Sequence, residues 1–247
     1  MIIIKSPPEI EKMTRACRIV AGALRELEKM VHPGVTTRDL ERHAERMVLA
    51  QGAALAFKGY RGYPSGICAS VNDRVVHGIP SGEKLADGDI VSIDLGVYLD
   101  GFYGDAAVTV GVGAIGSETE RLLRVTKDAL AKGIAQAVPG KRVSDVSNAI
   151  QRHVESHGYS VVRSFVGHGI GMALHEDPQV PNYGPPGQGP RLRKGMTLAI
   201  EPMVNVGRPG ARVLDDKWTA VTEDGSFSAH FEHCVAITQN GPVILTQ

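Results

Sequence analysis

The stretch that decides the fold covers residues 89–110 and reads DIVSIDLGVYLDGFYGDAAVTV. Asp100-Gly101 lies between two runs of alternating residues, which is a strong signal for a two-residue β-hairpin turn. Because side chains alternate with period two, this turn pairs Asp94 with Ala107 and places Asp94 and Asp105 on one face. The two carboxylates are then diagonal neighbours, roughly 7–8 Å apart at the backbone.

The opposite face of this hairpin is apolar. Its predicted members are Val91, Ile93, Leu95, Val97, Leu99, Phe102, Ala106 and Val108. Two carboxylates on one face repel each other unless a ligand neutralises them, although a solvated face without function remains an alternative. Gly96, Gly104 and Ala107 are small, and we expect them to leave room for a ligand near the backbone. This combination favours a metal site.

Four helices are predicted from apolar residues at helical spacing and from the signals at their ends. The first begins after the N-cap Ser6, with Pro7 at its first position, and ends before His32-Pro33-Gly34. The second covers about 37–51, the third begins at Ser117 and ends before Pro139, and the fourth covers about 144–157. Strands are predicted in 66–80, 89–99, 102–112, 160–166, 196–206 and 229–246, and the Pro-rich segment 178–190 is predicted as loop.

The second and fourth predicted helices repeat each other at a shift of 106 positions. The identities at this shift are Pro33 and Pro139, Gly34 and Gly140, Asp39 and Asp145, and Gly52 and Gly158. Chance is the alternative, but matching apolar positions favour a true repeat. We therefore expect one α+β catalytic domain, residues 1–247, with halves of about 1–112 and 113–247. Each half reads helix, helix and strands, and a site is expected between them.

Two further acids lie inside apolar strands, where a carboxylate needs a partner. Glu201 follows the apolar run MTLAI, and Glu232 lies in AHFEHCVAI. A salt bridge to lysine or arginine is the ordinary partner. His168 lies in GHGIG, which is no phosphate loop because no helix start follows it. Four acids and a histidine suit hard divalent cations, and two dications would balance four carboxylates.

The bulk composition excludes several classes of protein. The chain has 27 basic and 27 acidic residues, so no field of one sign is available to bind nucleic acid or a membrane surface. Cys17, Cys68 and Cys234 are far apart and indicate no disulfide framework. The apolar N-terminal run is too short for a signal peptide, and no segment approaches the ~20 apolar residues of a membrane span. We expect a cytoplasmic protein.

Five residues in this order resemble the metal ligands of the methionine aminopeptidases, in their short bacterial type I form. They are Asp94, Asp105, His168, Glu201 and Glu232, in the motifs GHGIG, IEP and FEH. The resemblance extends from the first helix to the last strand. It implies the pita-bread fold, in which two pseudo-symmetric halves surround a central metal site.

The resemblance also implies a role for each ligand. Asp94 would chelate one divalent ion, and His168 and Glu201 would serve a second. Asp105 and Glu232 would bridge the two ions. A bridging water would attack the scissile carbonyl, with Glu201 as proton acceptor. Cobalt, manganese, iron, zinc and magnesium all suit these ligands.

By the same resemblance, His77 would contact the nitrogen of the scissile bond, and His175 would bind the substrate carbonyl. The pocket for the methionine side chain would be formed by Tyr60, Tyr63, Cys68 and Trp218. Aromatic walls suit a thioether, although ordinary packing is the alternative.

The chain departs from the family pattern near this pocket. Leu174 stands where phenylalanine is frequent, Phe57 where cysteine is common, and Met172-Ala173 where a more polar pair is usual. These residues would reshape the pocket and leave the metal ligands untouched. Asn72 and Ser228 match positions that help to hold a monovalent cation in relatives.

The implied function is removal of the initiator methionine from the N-termini of nascent polypeptides with a small second residue. We expect a monomer that acts near the ribosome. One alternative is a proline-specific peptidase on the same scaffold, although such relatives usually carry an additional N-terminal domain. Another is a non-catalytic binding protein, but such homologues lose metal ligands that are all present in this sequence.

Overall fold

The chain folds into four α-helices and fifteen β-strands, described for residues 1–247 by a computed structural model. The helices are α1 (Pro7–Met30), α2 (Thr37–Ala50), α3 (Ser117–Ile134) and α4 (Val143–Ser156). The strands before residue 112 are β1 (Ala54–Leu55), β2 (Cys68–Val71), β3 (Arg74–Val76), β4 (Ile90–Leu99) and β5 (Phe102–Gly111). The next are β6 (Ser160–Val161), β7 (Gly167–Gly169), β8 (Glu176–Val180), β9 (Thr197–Ile200) and β10 (Met203–Asn205). The last are β11 (Ala211–Val213), β12 (Ala220–Thr222), β13 (Ser228–His230), β14 (Glu232–Thr238) and β15 (Gly241–Ile244).

The predicted helix starts are confirmed. Ser6 caps α1, and its backbone N–H donates to Glu9 Oε2 at 2.7 Å. Thr36 and Asp39 form the same reciprocal cap on α2. The third helix ends at Ile134, earlier than its sequence limit. None of the four helices is long and apolar enough to cross a membrane.

The predicted hairpin and its register are confirmed. Strands β4 and β5 pair with Asp94 opposite Ala107 and Gly96 opposite Asp105. Helix α1 packs against the apolar face of this hairpin, and α2 packs on α1 and shares the same buried core. The buried core there contains Val91, Ile93, Leu95, Val97 and Ala106, together with Leu27, Leu40 and Val48 from the helices. The opposite face, which carries both aspartates, is therefore left for the site.

The expectation for Gly96 and Gly104 was wrong, because neither leaves free space at the acids. Gly104 lies on the apolar face, where a Cβ would be 2.7 Å from Cys17 N in the backbone of α1. Gly96 shares the acid face, but a Cβ there would be 2.5 Å from Phe57 Cε1. The space beside each glycine is filled by other atoms of the protein. Helix α1 can approach the sheet closely only because Gly104 has no side chain.

A nine-stranded antiparallel sheet contains strands from both halves of the chain. Its strands follow the order β1-β4-β5-β14-β9-β7-β8, with β2 on β4 and β15 on β14. Two three-stranded sheets, β13-β10-β6 and β11-β12-β3, lie beside it. The β5–β14 pair at the middle of the path brings strands from early and late sequence together.

Several strand predictions need correction. The predicted strand 160–166 is only Ser160–Val161, and a separate strand, β7, begins at Gly167. The segment 178–190 was predicted as loop, but its first three residues belong to β8. Strand β8 lies at the end of the sheet path, where Pro178 removes no hydrogen bond from an inner strand. Strands β11 and β12 were missed, since each has only three residues.

The predicted repeat of α2 and α4 is also seen in the turns that precede them. Helices α2 and α4 begin 106 positions apart and both span 14 residues. Gly34 N donates to Leu85 O at 2.7 Å, and Gly140 N donates to Leu192 O at 3.0 Å. Each helix is therefore preceded by a turn that is fixed in the same way.

Candidate metal centre

The sheet register brings the four acids together. On the acid face of the hairpin, Ala107 lies between Asp94 on β4 and Glu232 on β14. Asp105 precedes Ala107 by two residues and therefore points to the same face. Strand β9 pairs next to β14, with Ile200 opposite His233, so Glu201 follows at the end of β9. Strand pairing and side-chain alternation thus bring together four carboxylates from distant sequence positions.

His168 enters from the opposite end of this row. It lies in β7 opposite Ala199 of β9, and its Nε2 is 3.6 Å from Glu201 Oε1. Gly167 and Gly169 are required on either side, because a Cβ would be 2.4 Å from Ala199 O or 2.1 Å from Asp177 O. The glycine-rich motif lets β7 fit between its two neighbouring strands, which places the histidine.

All eleven residues expected at the site line one pocket. The lining consists of Phe57, Tyr60, Arg61, Tyr63, Cys68, His77, Asp94, Asp105, His168, Leu174, His175, Glu201, Trp218 and Glu232. Two of the departures from the family pattern, Phe57 and Leu174, also line it, whereas Met172 and Ala173 do not.

The acids have no basic partners. None of the four forms an ion pair with a lysine or arginine. Only Glu201 lies near imidazole nitrogens, 3.6 Å from His168 Nε2 and 3.5 Å from His230 Nε2. The salt-bridge alternative is therefore wrong for this site. Asp94 Oδ1, Asp105 Oδ1 and Glu232 Oε1 are buried without a hydrogen-bond partner. Buried carboxylate oxygens in this state need a cation or a proton.

The donor geometry fits a metal ion. Ligand atoms of Asp105, His168 and Glu232 lie within 4.8 Å of one another, and all three residues are buried. Oxygen atoms with one imidazole nitrogen form a donor set for hard or borderline divalent ions.

Burial raises the pKa of these acids. It raises the pKa of Asp94 to about 7 and the pKa of Glu201 to about 7. The pKa of Asp105 and of Glu232 lies well above its ordinary value, first because of burial and then because of the neighbouring acids. Without a cation, the cluster therefore keeps protons, and a divalent ion would replace them.

His175 is oriented by Tyr60. Tyr60 Oη lies 2.9 Å from His175 Nδ1, and the two rings stack with centroids 5.3 Å apart. The His168 ring lies on the other side, 4.2 Å from His175 between centroids. Partial burial, followed by His168 and Arg61, lowers the pKa of His175 to about 3. The imidazole is therefore neutral at physiological pH.

His77 lies at the other wall of the pocket. Its backbone is left-handed, with φ of 59°, and its ring contacts the Phe165 ring edge to face at 5.5 Å. Burial and the neighbouring His230 lower the pKa of His77 to about 4. This histidine is also neutral near pH 7.

The expected methionine pocket has aromatic walls. Tyr63 and Trp218 meet edge to face with ring centroids 5.2 Å apart. The Tyr63 hydroxyl donates to the carbonyl oxygens of Ile67 and Gly78, both at 3.1 Å, so its ring is fixed. Cys68 lies opposite Asp94 in the β2–β4 pair, next to the acids.

Sequence reasoning missed His230. It is 1% exposed, and its Nε2 lies 3.5 Å from Glu201 Oε2 without a hydrogen-bond partner. The missed signal is its spacing, because His230 precedes Glu232 by two residues and alternation places both on one face.

The expected cation pair, Asn72 and Ser228, lies beside this segment. Ser228 N donates to Asn72 O at 2.9 Å, and Ser228 Oγ is buried without a partner. The Asn72 side chain already donates to Asp89 and accepts from Ile90 N.

Comparison with known proteins agrees with this geometry. Residues 11–239 match metallopeptidase family M24. The methionine aminopeptidase of Clostridium perfringens is 54% identical over 246 residues, which covers 100% of this chain and 99% of that protein. The crystal structure of methionine aminopeptidase from Thermotoga maritima has a TM-score of 0.98 at 54% identity, with 100% of both chains covered. A prolidase from Pyrococcus horikoshii OT3 shares the fold at a TM-score of 0.80 and 24% identity, covering 99% of this chain and 63% of the prolidase.

Proposed function

Because the chain belongs to metallopeptidase family M24 and, within it, to the methionine aminopeptidases, we propose that it removes the initiator methionine from nascent polypeptides. Its α+β architecture is the pita-bread fold. The observation that carries the proposal is the row of buried carboxylates without basic partners beside an aromatic pocket. Both halves of the chain contribute to this row, which supports a single catalytic domain.

Five residues would hold the metal. They are Asp94, Asp105, His168, Glu201 and Glu232. We propose two ions per chain, because one dication would leave four carboxylates with a net charge of −2. Asp105 and Glu232 would bridge, since they lie on the two middle strands of the row. Divalent cations bound there would supply Lewis-acid activation of the water that cleaves the peptide bond.

Glu201 would act as the proton acceptor in this reaction. Its carboxylate has only imidazole neighbours, so it can take up a proton released by the activated water. His168 and His230 contact its two oxygens from opposite sides. The acid is therefore held in one orientation without a lysine or arginine that would suppress its basicity.

The two neutral histidines would act on the substrate amide. If the Tyr60 hydroxyl donates to His175 Nδ1, the remaining proton is on Nε2, which can donate to the carbonyl oxygen of the substrate. His77 would contact the nitrogen of the scissile bond. Its low pKa keeps it neutral, so it can accept or donate a hydrogen bond there.

The methionine side chain would bind among Tyr60, Tyr63, Cys68 and Trp218. Polarizable sulfur makes favourable contacts with ring edges, and Tyr63 and Trp218 present rings at a steep angle to each other. Leu174 and Phe57 complete the lining and would set the depth of the pocket.

Three further properties follow from this assignment as proposals. The enzyme would act as a monomer in the cytoplasm, near the ribosome, where nascent N-termini emerge. A monovalent cation would bind beside Asn72 and Ser228, where a buried hydroxyl oxygen has no partner. The divalent metal would be cobalt, manganese, iron, zinc or magnesium, according to availability.

Peptide cleavage tests the proposed function. Purified metal-loaded protein is given Met-Ala-Ser, Leu-Ala-Ser and Ala-Pro-Ser in parallel, and the released amino acids are quantified. We expect free methionine from the first peptide and little product from the other two. Preference for Ala-Pro-Ser would instead assign a proline-specific peptidase. Absence of all hydrolysis, together with no heat of Mn²⁺ binding by calorimetry, would assign a binding protein.

A further inference from the structure

Lys5 and Glu176 form an ion pair that is buried outside the metal site. Their side chains are 2% and 4% exposed, and Lys5 Nζ contacts Glu176 Oε2 directly. The two residues are 171 positions apart in sequence. A lysine and a glutamate are almost never buried to this extent unless each has a partner, because removing a charge from water is costly. The pair therefore joins the N-terminal segment to the loop that follows β7.

Glu176 organises this loop with its second oxygen. Glu176 Oε1 accepts hydrogen bonds from Met172 N at 2.8 Å and from Ala173 N at 3.2 Å. These bonds close the segment 171–176 on itself. The segment carries Leu174, which lines the pocket, and His175, which contacts Tyr60. One carboxylate thus fixes the backbone on both sides of Leu174 and His175.

The surrounding backbone is shaped to admit Lys5. A Cβ at Gly171 would lie 2.3 Å from Lys5 Cε and 2.7 Å from Glu176 Oε1. Lys5 N donates to Gly195 O at 2.7 Å, and a Cβ at Gly195 would lie 2.7 Å from Lys5 O. Two glycines therefore leave the space through which the lysine reaches Glu176.

We propose that Lys5 and Glu176 are positioning residues, which hold the 171–176 loop so that His175 faces the substrate carbonyl. This inference rests on the proposed function, because it assigns the pair to the orientation of His175. Loss of Lys5 leaves Glu176 as an uncompensated buried charge, and the carboxylate then turns toward solvent and releases Met172 N and Ala173 N. His175 moves with this backbone, whereas the acids on β4, β5 and β14 do not.

The test compares Lys5→Met and Glu176→Gln with the unchanged enzyme, each loaded with Mn²⁺. We expect kcat for Met-Ala-Ser to fall about tenfold or more in Lys5→Met, because small misplacement of a catalytic group has effects of this size. KM and bound Mn²⁺ should change little. Amide hydrogen exchange at Met172 and Ala173 should accelerate. The double variant Lys5→Met/Glu176→Gln should recover part of the lost kcat, because it removes the unpaired charge and keeps an acceptor for both amides.

Lys58→Met is the matched control, because Lys58 pairs with Glu45 at 3.1 Å on the surface, where both side chains are more than a third exposed. It should change neither kcat nor the exchange of the two amides. Lower thermal stability of Lys5→Met with unchanged kcat and exchange would overturn the inference and leave the pair a purely structural role. If Lys5→Met does not fold, Glu176→Gln is judged by the same two readouts. Amide exchange is measured without substrate. If the parent enzyme cleaves no peptide, the proposed function fails, and the exchange result still shows whether the ion pair holds the loop.

Discussion

The first half of the chain, residues 1–112, and the second half, residues 113–247, share a scaffold but differ in what they place on it. In both halves a 14-residue helix follows a Pro-Gly turn, and in both the turn is fixed by a backbone hydrogen bond to a later leucine. In the central sheet, β4 and β5 of the first half meet β14 and β9 of the second. The site forms along this seam.

The two halves contribute different donors. The first half contributes two aspartates, Asp94 and Asp105, and the second half contributes two glutamates, Glu201 and Glu232. Burial is the largest cause that raises the pKa of Asp94 and of Glu201 to about 7, so the acids at both ends of the row are shielded from water. The imidazole of His168, in contrast, comes from the second half alone. Pseudo-symmetry thus builds the cavity, and the side chains on each half make its two ends chemically distinct.

The helices differ in how they reach this seam. In the first half, α1 lies on the hairpin, and Gly104 lets its backbone approach the sheet. In the second half, α3 packs closely on α4, where a Cβ at Gly133 would be 2.7 Å from Ile150 Cγ1. Glycine therefore removes bulk at a helix–sheet contact in one half and at a helix–helix contact in the other.

The largest effect is expected when one middle acid of each half is neutralised. We expect Asp105→Asn and Glu232→Gln each to lower turnover of Met-Ala-Ser by orders of magnitude, because each removes a charge that both ions would share. Calorimetry with Mn²⁺ should find fewer than two ions per chain in both variants. Each substitution also removes a buried carboxyl group whose raised pKa costs folding free energy at neutral pH, so the metal-free variants should be more heat-stable than the metal-free parent.

A near-normal rate from either variant would remove the bridging role of that acid. A large loss from only one of them would show that the two halves are not equivalent at the centre of the row. Lys58→Met serves again as the control, since Lys58 forms an exposed ion pair with Glu45 and with none of the four acids.

The next largest effect is expected from the two glycines. Gly104→Ala would place a methyl group against the backbone of α1, 2.7 Å from Cys17 N and 2.9 Å from Ala16 C. Because backbone cannot rotate away, we expect a loss of about 1–3 kcal/mol in the free energy of unfolding. Gly133→Ala meets only side chains, those of Ile150 and Val146, and gains about 1 kcal/mol of helix propensity, so its net change should be smaller.

Urea unfolding of both variants checks this difference between the halves. Equal losses would mean that the helix–helix contact is as rigid as the helix–sheet contact. A stable Gly104→Ala protein would show that α1 can move away from the hairpin. The activity of that variant would then show whether the acids on the opposite face are displaced as well.

Much of this fold was predictable from local patterns. The hairpin register followed from Asp100-Gly101 and from period-two alternation, and the helix starts followed from their capping residues. The convergence of Glu201 and Glu232 on the hairpin aspartates was indicated by the cost of an acid in an apolar strand. Gly104 was expected to leave room for a ligand at the acids, although the same alternation places it with Phe102.

Other features were outside the reach of sequence patterns. The partner of Lys5 is 171 residues away, and neither residue lies in a sequence motif that predicts burial. Strand β12 pairs with β11 and with β3, so its identity depends on a contact with a segment more than 140 residues earlier. His230 carried a usable signal in its spacing from Glu232, but that signal has meaning only once Glu232 is known to face the site.

The smallest expected effect concerns the one tyrosine hydroxyl in the pocket that crosses between the halves. Tyr60 of the first half contacts His175 of the second at 2.9 Å, whereas Tyr63 bonds only within its own half, to Ile67 O and Gly78 O. Tyr60→Phe keeps the stacked ring but removes the hydroxyl, so His175 loses the group that favours a proton on Nε2. We expect kcat to fall about two- to tenfold, the equivalent of one net hydrogen bond. In ¹⁵N spectra the population of the Nε2–H tautomer of His175 should decrease. Tyr63→Phe should lower stability and leave both the tautomer and kcat in place. If the two variants lose kcat equally while the tautomer stays fixed, the aromatic wall rather than the cross-half hydrogen bond orients His175.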